Sequence, residues 1–191
     1  MIDRAPIIEE IKGLSHLKRV VLIAVDGVGG AGKTTQAEIL KKKLAKSAIV
    51  HLDDFYAPAF HATDLLRLKN QVLSPLKNQR AAKYQVYEWK TDSFSDWHTL
   101  RPEGILILKG VYSLDRSVRD FFDLKRWIDF PPEPGLARGV ARDNKRDGVD
   151  HSDQWKNIWM PLEEKHRKEQ KLDQCADYVL NGRKLFEGKA P

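Results

Sequence analysis

The chain is poor in everything that would tie it to an oxidising compartment or a bilayer. It has a single cysteine, Cys175, which excludes an internal disulfide and suits a packed, inert thiol better than a nucleophile. No apolar run approaches the roughly 20 residues that span a bilayer. The opening Met1-Ile2-Asp3-Arg4-Ala5-Pro6 lacks the apolar core of a signal peptide. These absences point to a cytoplasmic protein with no membrane partner. The six histidines, at positions 16, 51, 61, 98, 151 and 166, keep no metal-ligand spacing, which argues against zinc. No Ser/His/Asp or Cys/His grouping supports a nucleophilic hydrolase.

What is present is a globular composition. The 191 residues are 41% hydrophobic and 31% charged, which fits one domain over residues 1–191. Lysine and arginine total 33 against 27 acids. The basic residues are not gathered into one tract with interleaved aromatics, so no nucleic-acid partner is expected. The excess equally suits a site for polyanionic phosphates.

Short apolar runs separated by helix-like segments predict an α/β fold, with a parallel five-stranded sheet flanked by helices. The predicted strands are Val20–Asp26, Ala48–Leu52, Ile105–Leu108, Arg126–Phe130 and Tyr178–Leu180. The predicted helices are Thr34–Ser47, Thr63–Val72, Leu114–Phe121, Pro134–Asp147 and Ser152–Gln170, with Pro161 kinking or splitting the last. Residues 1–18 should form an N-terminal helix packed outside the sheet, around the amphipathic Ile7–Ile11. Residues 74–100, mixing Tyr, Trp and charges, suggest an insertion over the site. Trp155, Trp159, Leu162 and His166 fall near one helical face and suggest a core stripe.

The chemistry begins at residues 27–34, Gly27-Val28-Gly29-Gly30-Ala31-Gly32-Lys33-Thr34, a complete G-x-x-x-x-G-K-[ST] loop. A strand precedes it and a helix follows, as a phosphate-binding loop requires. Glycines let main-chain N–H groups curl around a polyphosphate, and the helix N-terminus adds partial positive charge. Lys33 would reach the β/γ oxygens, and the Thr34 hydroxyl could ligate Mg²⁺. The expected contacts of a nucleoside triphosphate are therefore Gly27, Gly29, Gly30, Ala31, Gly32, Lys33, Thr34 and Thr35, and the expected cofactors are ATP and Mg²⁺. The second strand ends in His51-Leu52-Asp53-Asp54-Phe55-Tyr56, and ligands in open α/β sheets sit beyond the carboxyl ends of strands. A carboxylate there could take a proton from an acceptor hydroxyl and help hold the metal.

This phosphate loop together with Asp53-Asp54-Phe55-Tyr56 resembles the uridine kinase branch of the P-loop kinases, whose second strand ends in Asp-Ser-Phe-Tyr. Kinases of pantothenate, ribulose phosphate and glycerate share the architecture. The resemblance runs over roughly residues 20–182. It implies a single-domain P-loop NTPase of the nucleoside-monophosphate-kinase type with a helical lid at 134–150. It also implies that Asp53 is the catalytic base and a metal ligand, and that Tyr56 borders the acceptor. Tyr87-Glu88-Trp89 resembles the Tyr-Asp-Phe loop that packs on the nucleoside, which places Tyr87 in the acceptor pocket. The expected partner is a small-molecule acceptor, a pyrimidine nucleoside in first place, with a homo-oligomer left open.

Leu136–Asp143 resembles the lid helix of the same family. Arg138, Arg142 and Arg146 recur at spacing four and so share one helical face. Guanidinium forks match the charge on a transferring phosphoryl group, which gives Arg142 a catalytic role and Arg138 a substrate-binding one. A solvated face on which Arg142 and Arg146 pair with Asp143 or Asp147 is the plainer alternative. One residue departs from the pattern: Lys109 ends the third strand where uridine kinases usually carry an acid that supports Mg²⁺. Lys109 can serve as an added cation, it can impair catalysis and leave a nucleotide-binding protein, or it can face solvent.

Overall fold

A computed structural model describes residues 5–56, 62–88 and 91–186. The expectations for residues 1–4 and for Trp89 lie outside the described residues. The first elements are α1 (Ala5–Leu17), β1 (Val20–Gly27), α2 (Lys33–Lys43) and β2 (Ser47–His51). Next come α3 (Ala62–Leu68), a π-helical turn at Lys69–Leu73, and α4 (Ser74–Lys77). Four short strands follow: β3 (Ala82–Tyr84), β4 (Tyr87–Glu88), β5 (Ser93–Phe94) and β6 (His98–Leu100). The chain closes with β7 (Gly104–Lys109), β8 (Leu124–Asp129), α5 (Pro132–Asp147), α6 (Ser152–Gln154), α7 (Met160–Gln170) and β9 (Tyr178–Asn181).

Five of these strands form one parallel sheet in the order β2-β7-β1-β8-β9. Seven of the eight residues of β1 are buried, because helices cover both faces of the sheet and the strand can be apolar throughout. The chain leaves β1 toward β2 on one side and returns to β8 on the other. That reversal opens a crevice at the carboxyl end of β1, where the phosphate loop begins.

The elements differ from the sequence expectation where side chains compete with helix. Helix α2 stops at Lys43 and not at Ser47. Leu44 is already extended, Lys46 takes φ 51°, and Ser47 is claimed by pairing with Ile105. Leu114–Phe121 is not a helix but a run of turns closed by a 3₁₀ turn at Arg119–Phe121. There the Asp115 carboxylate accepts from the Ser117 N–H at 2.8 Å and its hydroxyl at 2.6 Å. An aspartate that binds backbone two residues on favours a turn over a helix. The fourth sheet strand starts earlier than expected because Leu124 pairs with Ile23.

The expected Ser152–Gln170 helix carries a π-turn at Trp155–Trp159 just before Pro161. Pro161 has no N–H for the Asn157 carbonyl, so the ladder widens there. Of the stripe expected on this segment, Trp155 is buried, whereas Leu162 is exposed. The 74–100 segment begins as helix α4 and continues as two antiparallel pairs, β3–β6 and β4–β5.

Candidate active site

The phosphate loop occupies the tight turn from β1 into α2. Gly30 and Gly32 have φ of 72° and 98°, the left-handed region that glycine adopts without cost. Gly32 caps α2 with no side-chain bond, so the first-turn amides of Lys33, Thr34 and Thr35 have no partner within the helix. They are donors for an anion. Lys33 Nζ donates to the carbonyls of Gly27 at 2.8 Å and Val28 at 2.9 Å. Burial pulls the Lys33 ammonium below its ordinary range, and the carboxylates of Glu163, Asp26 and Asp53 oppose that.

Asp53 sits in the 3₁₀ turn Leu52–Phe55 that ends β2. Its Oδ2 lies 3.0 Å from Lys109 Nζ at the end of β7. Lys109 is therefore turned into the site, with 9% of its side chain exposed, and the solvent-facing reading fails. Desolvation would raise the Asp53 pKa, but Lys109, then Lys33 and Arg142, outweigh it and hold the carboxyl below its usual value.

The remaining expected residues fall into three places. Tyr56 is buried and donates its hydroxyl to the Val111 carbonyl, bracing the turn after β7. Tyr87 lies in the β4–β5 pair, packed edge-on against Phe94 with its hydroxyl on Asp92. Arg138 and Arg142 share helix α5. Arg138 reaches the loop: its Nε donates to the Gly30 carbonyl at 3.2 Å and its guanidinium lies 3.3 Å from the Phe186 ring centre. Arg142 is held by its neighbour, with Nε and Nη2 at 2.8 and 3.1 Å from Asp143. Arg146 pairs with Asp147 at 2.7 Å and with Asp143 at 3.3 Å. The plainer reading of the two later arginines thus describes their contacts.

Between turn and insertion stands Arg67. It donates to the carbonyls of Asp54 and Gln85, both at 2.9 Å. Its guanidinium lies 5.1 Å from the Phe55 ring centre and 4.6 Å from that of Phe94. Phe55 in turn stacks on Tyr84 at 5.4 Å. The insertion is in this way fastened to the turn that carries Asp53.

Three groups at the loop had not been expected. Asp26, the last residue before Gly27, is fully buried and accepts from the N–H groups of Gly27 at 2.7 Å and Leu114 at 2.8 Å. Burial pushes its carboxyl up to about 7, against those two bonds and Lys33. A carboxylate at a strand's carboxyl end is a signal the sequence does contain. Glu163 on α7 accepts from the Gly29 N–H at 2.6 Å. The Trp155 ring covers Gly29, where an added Cβ would stand 2.3 Å from it. Nothing in a Glu-Glu-Lys run 134 residues downstream of Gly29 announces the Glu163 contact.

The oxygens of Thr34 and Asp53 suit Mg²⁺, which takes few protein ligands and keeps phosphate and water oxygens. Among the described residues no group of three or more His, Cys, Asp or Glu could hold a metal ion. No described helix is long and apolar enough to cross a membrane.

Residues 50–165 match the phosphoribulokinase/uridine kinase family, more than half of the chain, and the chain belongs to that family. A uridine kinase of Staphylococcus aureus is 27% identical over 150 residues, covering 69% of this chain and 72% of the relative. A possible uridine kinase from Bacillus stearothermophilus superposes with TM-score 0.62 at 19% identity, covering 92% of this chain and all of that one. A D-glycerate 3-kinase from Cryptococcus neoformans superposes with TM-score 0.55 at 13% identity, covering 94% of each. These structural likenesses establish the P-loop kinase fold.

Proposed function

We propose that this member of the phosphoribulokinase/uridine kinase family transfers the terminal phosphoryl group of ATP to the hydroxyl of a small molecule, a pyrimidine nucleoside such as uridine or cytidine in first place. The observation that carries the reading is the convergence of Lys33 and Asp53 at the crevice beside β1. The lysine closes on the loop carbonyls, and the carboxylate stands at the end of β2, on the far side of β7 from β1. ATP would supply the phosphoryl group and Mg²⁺ would neutralise its charge. Asp53 would accept the hydroxyl proton, and the amides from Gly29 to Thr35 would cradle the phosphates. Arg138, already on the loop, would bind donor phosphate. Arg142 would steady the transferring group after parting from Asp143.

The nucleoside preference is supported by the match of Asp53, Phe55 and Tyr56 to the family pattern and by the S. aureus relative's name. Pantothenate and glycerate are the other acceptors to test. An ADP-release screen over nucleosides and small alcohols decides among them. Tight ATP binding with no acceptor-dependent ADP would remove the kinase reading. One specific observation favours that second outcome, a nucleotide-binding protein with weak activity: both Asp53 and Arg142 are held by ion pairs.

A further inference from the structure

The phosphate loop is gripped from outside by residues its motif does not contain. Glu163 places a carboxylate oxygen 2.6 Å from the Gly29 nitrogen. Of the carboxylates around Lys33, Glu163 acts on its ammonium most strongly, ahead of Asp26 and Asp53. The lysine of such a loop reaches the outer phosphates of the donor. An anion that accepts from a loop amide within the field of this lysine makes one contact expected of a terminal phosphate.

We propose that Glu163 is a specificity-determining residue of the donor site. Its carboxylate stands where the terminal phosphate of a nucleoside triphosphate belongs, so a triphosphate must displace it and a diphosphate need not. The proposal rests on the reading of the loop as the ATP site. Two anions cannot share the Gly29 N–H, close to Lys33, without repelling each other at these separations. The diphosphate ends short of that contact and meets Glu163 in place.

The displacement also reaches the lid. Trp155 lies between Gly29 and Gly139 of α5, where added Cβ atoms would meet its ring at 2.3 and 2.7 Å. Its indole N–H donates to Asp143 at 2.9 Å, the carboxylate that holds Arg142. Moving Glu163 off Gly29 therefore disturbs the wedge that packs the lid helix on the loop. A terminal phosphate would in this way loosen Arg142 for its work.

The test compares ATP and ADP affinities by calorimetric titration with Mg²⁺ in the wild type, Glu163→Gln, Glu163→Ala and Lys33→Ala. Glutamine keeps an acceptor for the Gly29 N–H and removes the charge. Glu163→Gln should bind ATP at least about fivefold tighter, with ADP changed by no more than about twofold. Glu163→Ala should show the same selective gain, which guards against an effect of the amide itself. Unchanged or weaker ATP binding in both variants, or an equal gain for ATP and ADP, overturns the proposal while a Lys33-dependent wild-type affinity keeps the donor-site reading. Wild-type ATP binding that is undetectable, or indifferent to Lys33→Ala, overturns both.

Discussion

Lys109 and Asp53 join the ends of two neighbouring strands, with Nζ 3.0 Å from Oδ2. Asp53 keeps 58% of its side chain exposed, so one carboxylate oxygen is engaged while much of the group still faces the crevice. In the proposed role of base, a carboxylate held this way is oriented but weakened, because the ammonium favours its ionised form. Asp53→Asn should lower kcat by about 10² to 10⁴, the range for loss of a general base.

Lys109→Met separates orientation from basicity. A carboxylate with a depressed folded-state pKa works until pH falls through that value, and removing Lys109 raises it. The acid limb of kcat/KM should therefore begin at higher pH in Lys109→Met than in the wild type. Lys109→Glu sets two carboxylates side by side and should lose both stability and turnover. A large gain in turnover would instead show that the lysine is a brake on the site.

Arg67 predicts a split between the two substrates. It ties the Asp53 turn to the insertion through two carbonyls and stacks between Phe55 and Phe94. A lysine cannot reproduce that planar fork. Arg67→Lys should raise KM for the acceptor severalfold and leave KM for ATP nearly unchanged. Equal changes in both would show that the insertion does not serve the acceptor.

What the sequence made legible follows from how local each signal is. The loop from Gly27 to Thr34 and the strand before it were readable because their residues touch one another along the chain. Asp53 was readable because a strand end aims it. Glu163 and Trp155 were not, since their contacts with Gly29 depend on where a distant helix lands. The arginines at 138, 142 and 146 share a face as spacing four requires. Yet only Arg138 meets the loop, because Asp143 and Asp147 lie beside the other two. The turns at Leu114–Phe121 were misread because helix periodicity ignores the bonds Asp115 makes to Ser117.

Asp143 separates stability from catalysis on helix α5. It is buried and accepts from Arg142, Arg146 and the Trp155 indole. Asp143→Ala leaves that indole N–H without its acceptor and should cost about 1–3 kcal/mol of stability, read by denaturant unfolding. Arg142→Ala removes an exposed guanidinium and should cost under about 1 kcal/mol, the scale of a surface pair. It should nonetheless slow phosphoryl transfer by at least about tenfold with ATP affinity intact, the signature of a contact made only in the transition state. Unchanged turnover would confine Arg142 to its pair with Asp143.

The buried Asp26 gives the stability an unusual slope with pH. Its carboxyl rises from 3.8 to about 7 on folding, so between those values the folded state binds more protons than the unfolded chain. Stability then falls as pH rises through that window and is flat above it. This is opposite to the common carboxylate, of which Asp147 is an example: its pairing with Arg146 holds its carboxyl down to about 2. Unfolding by urea should therefore show the Asp26 contribution as a higher midpoint at pH 5.5 than at pH 8, a difference that Asp26→Asn flattens. The variant is not simply more stable for having lost its charge. Asp26 uses both oxygens on main-chain N–H groups, and an amide would turn its NH₂ toward one of them. Asp26→Asn should be destabilised at pH 5.5 by about 1–3 kcal/mol, the cost of one unmet buried donor, while its midpoint hardly moves from there to pH 8. A wild-type midpoint that rises steadily from pH 5.5 to 8, with Asp26→Asn following the same curve, would show that this carboxyl titrates like an exposed one.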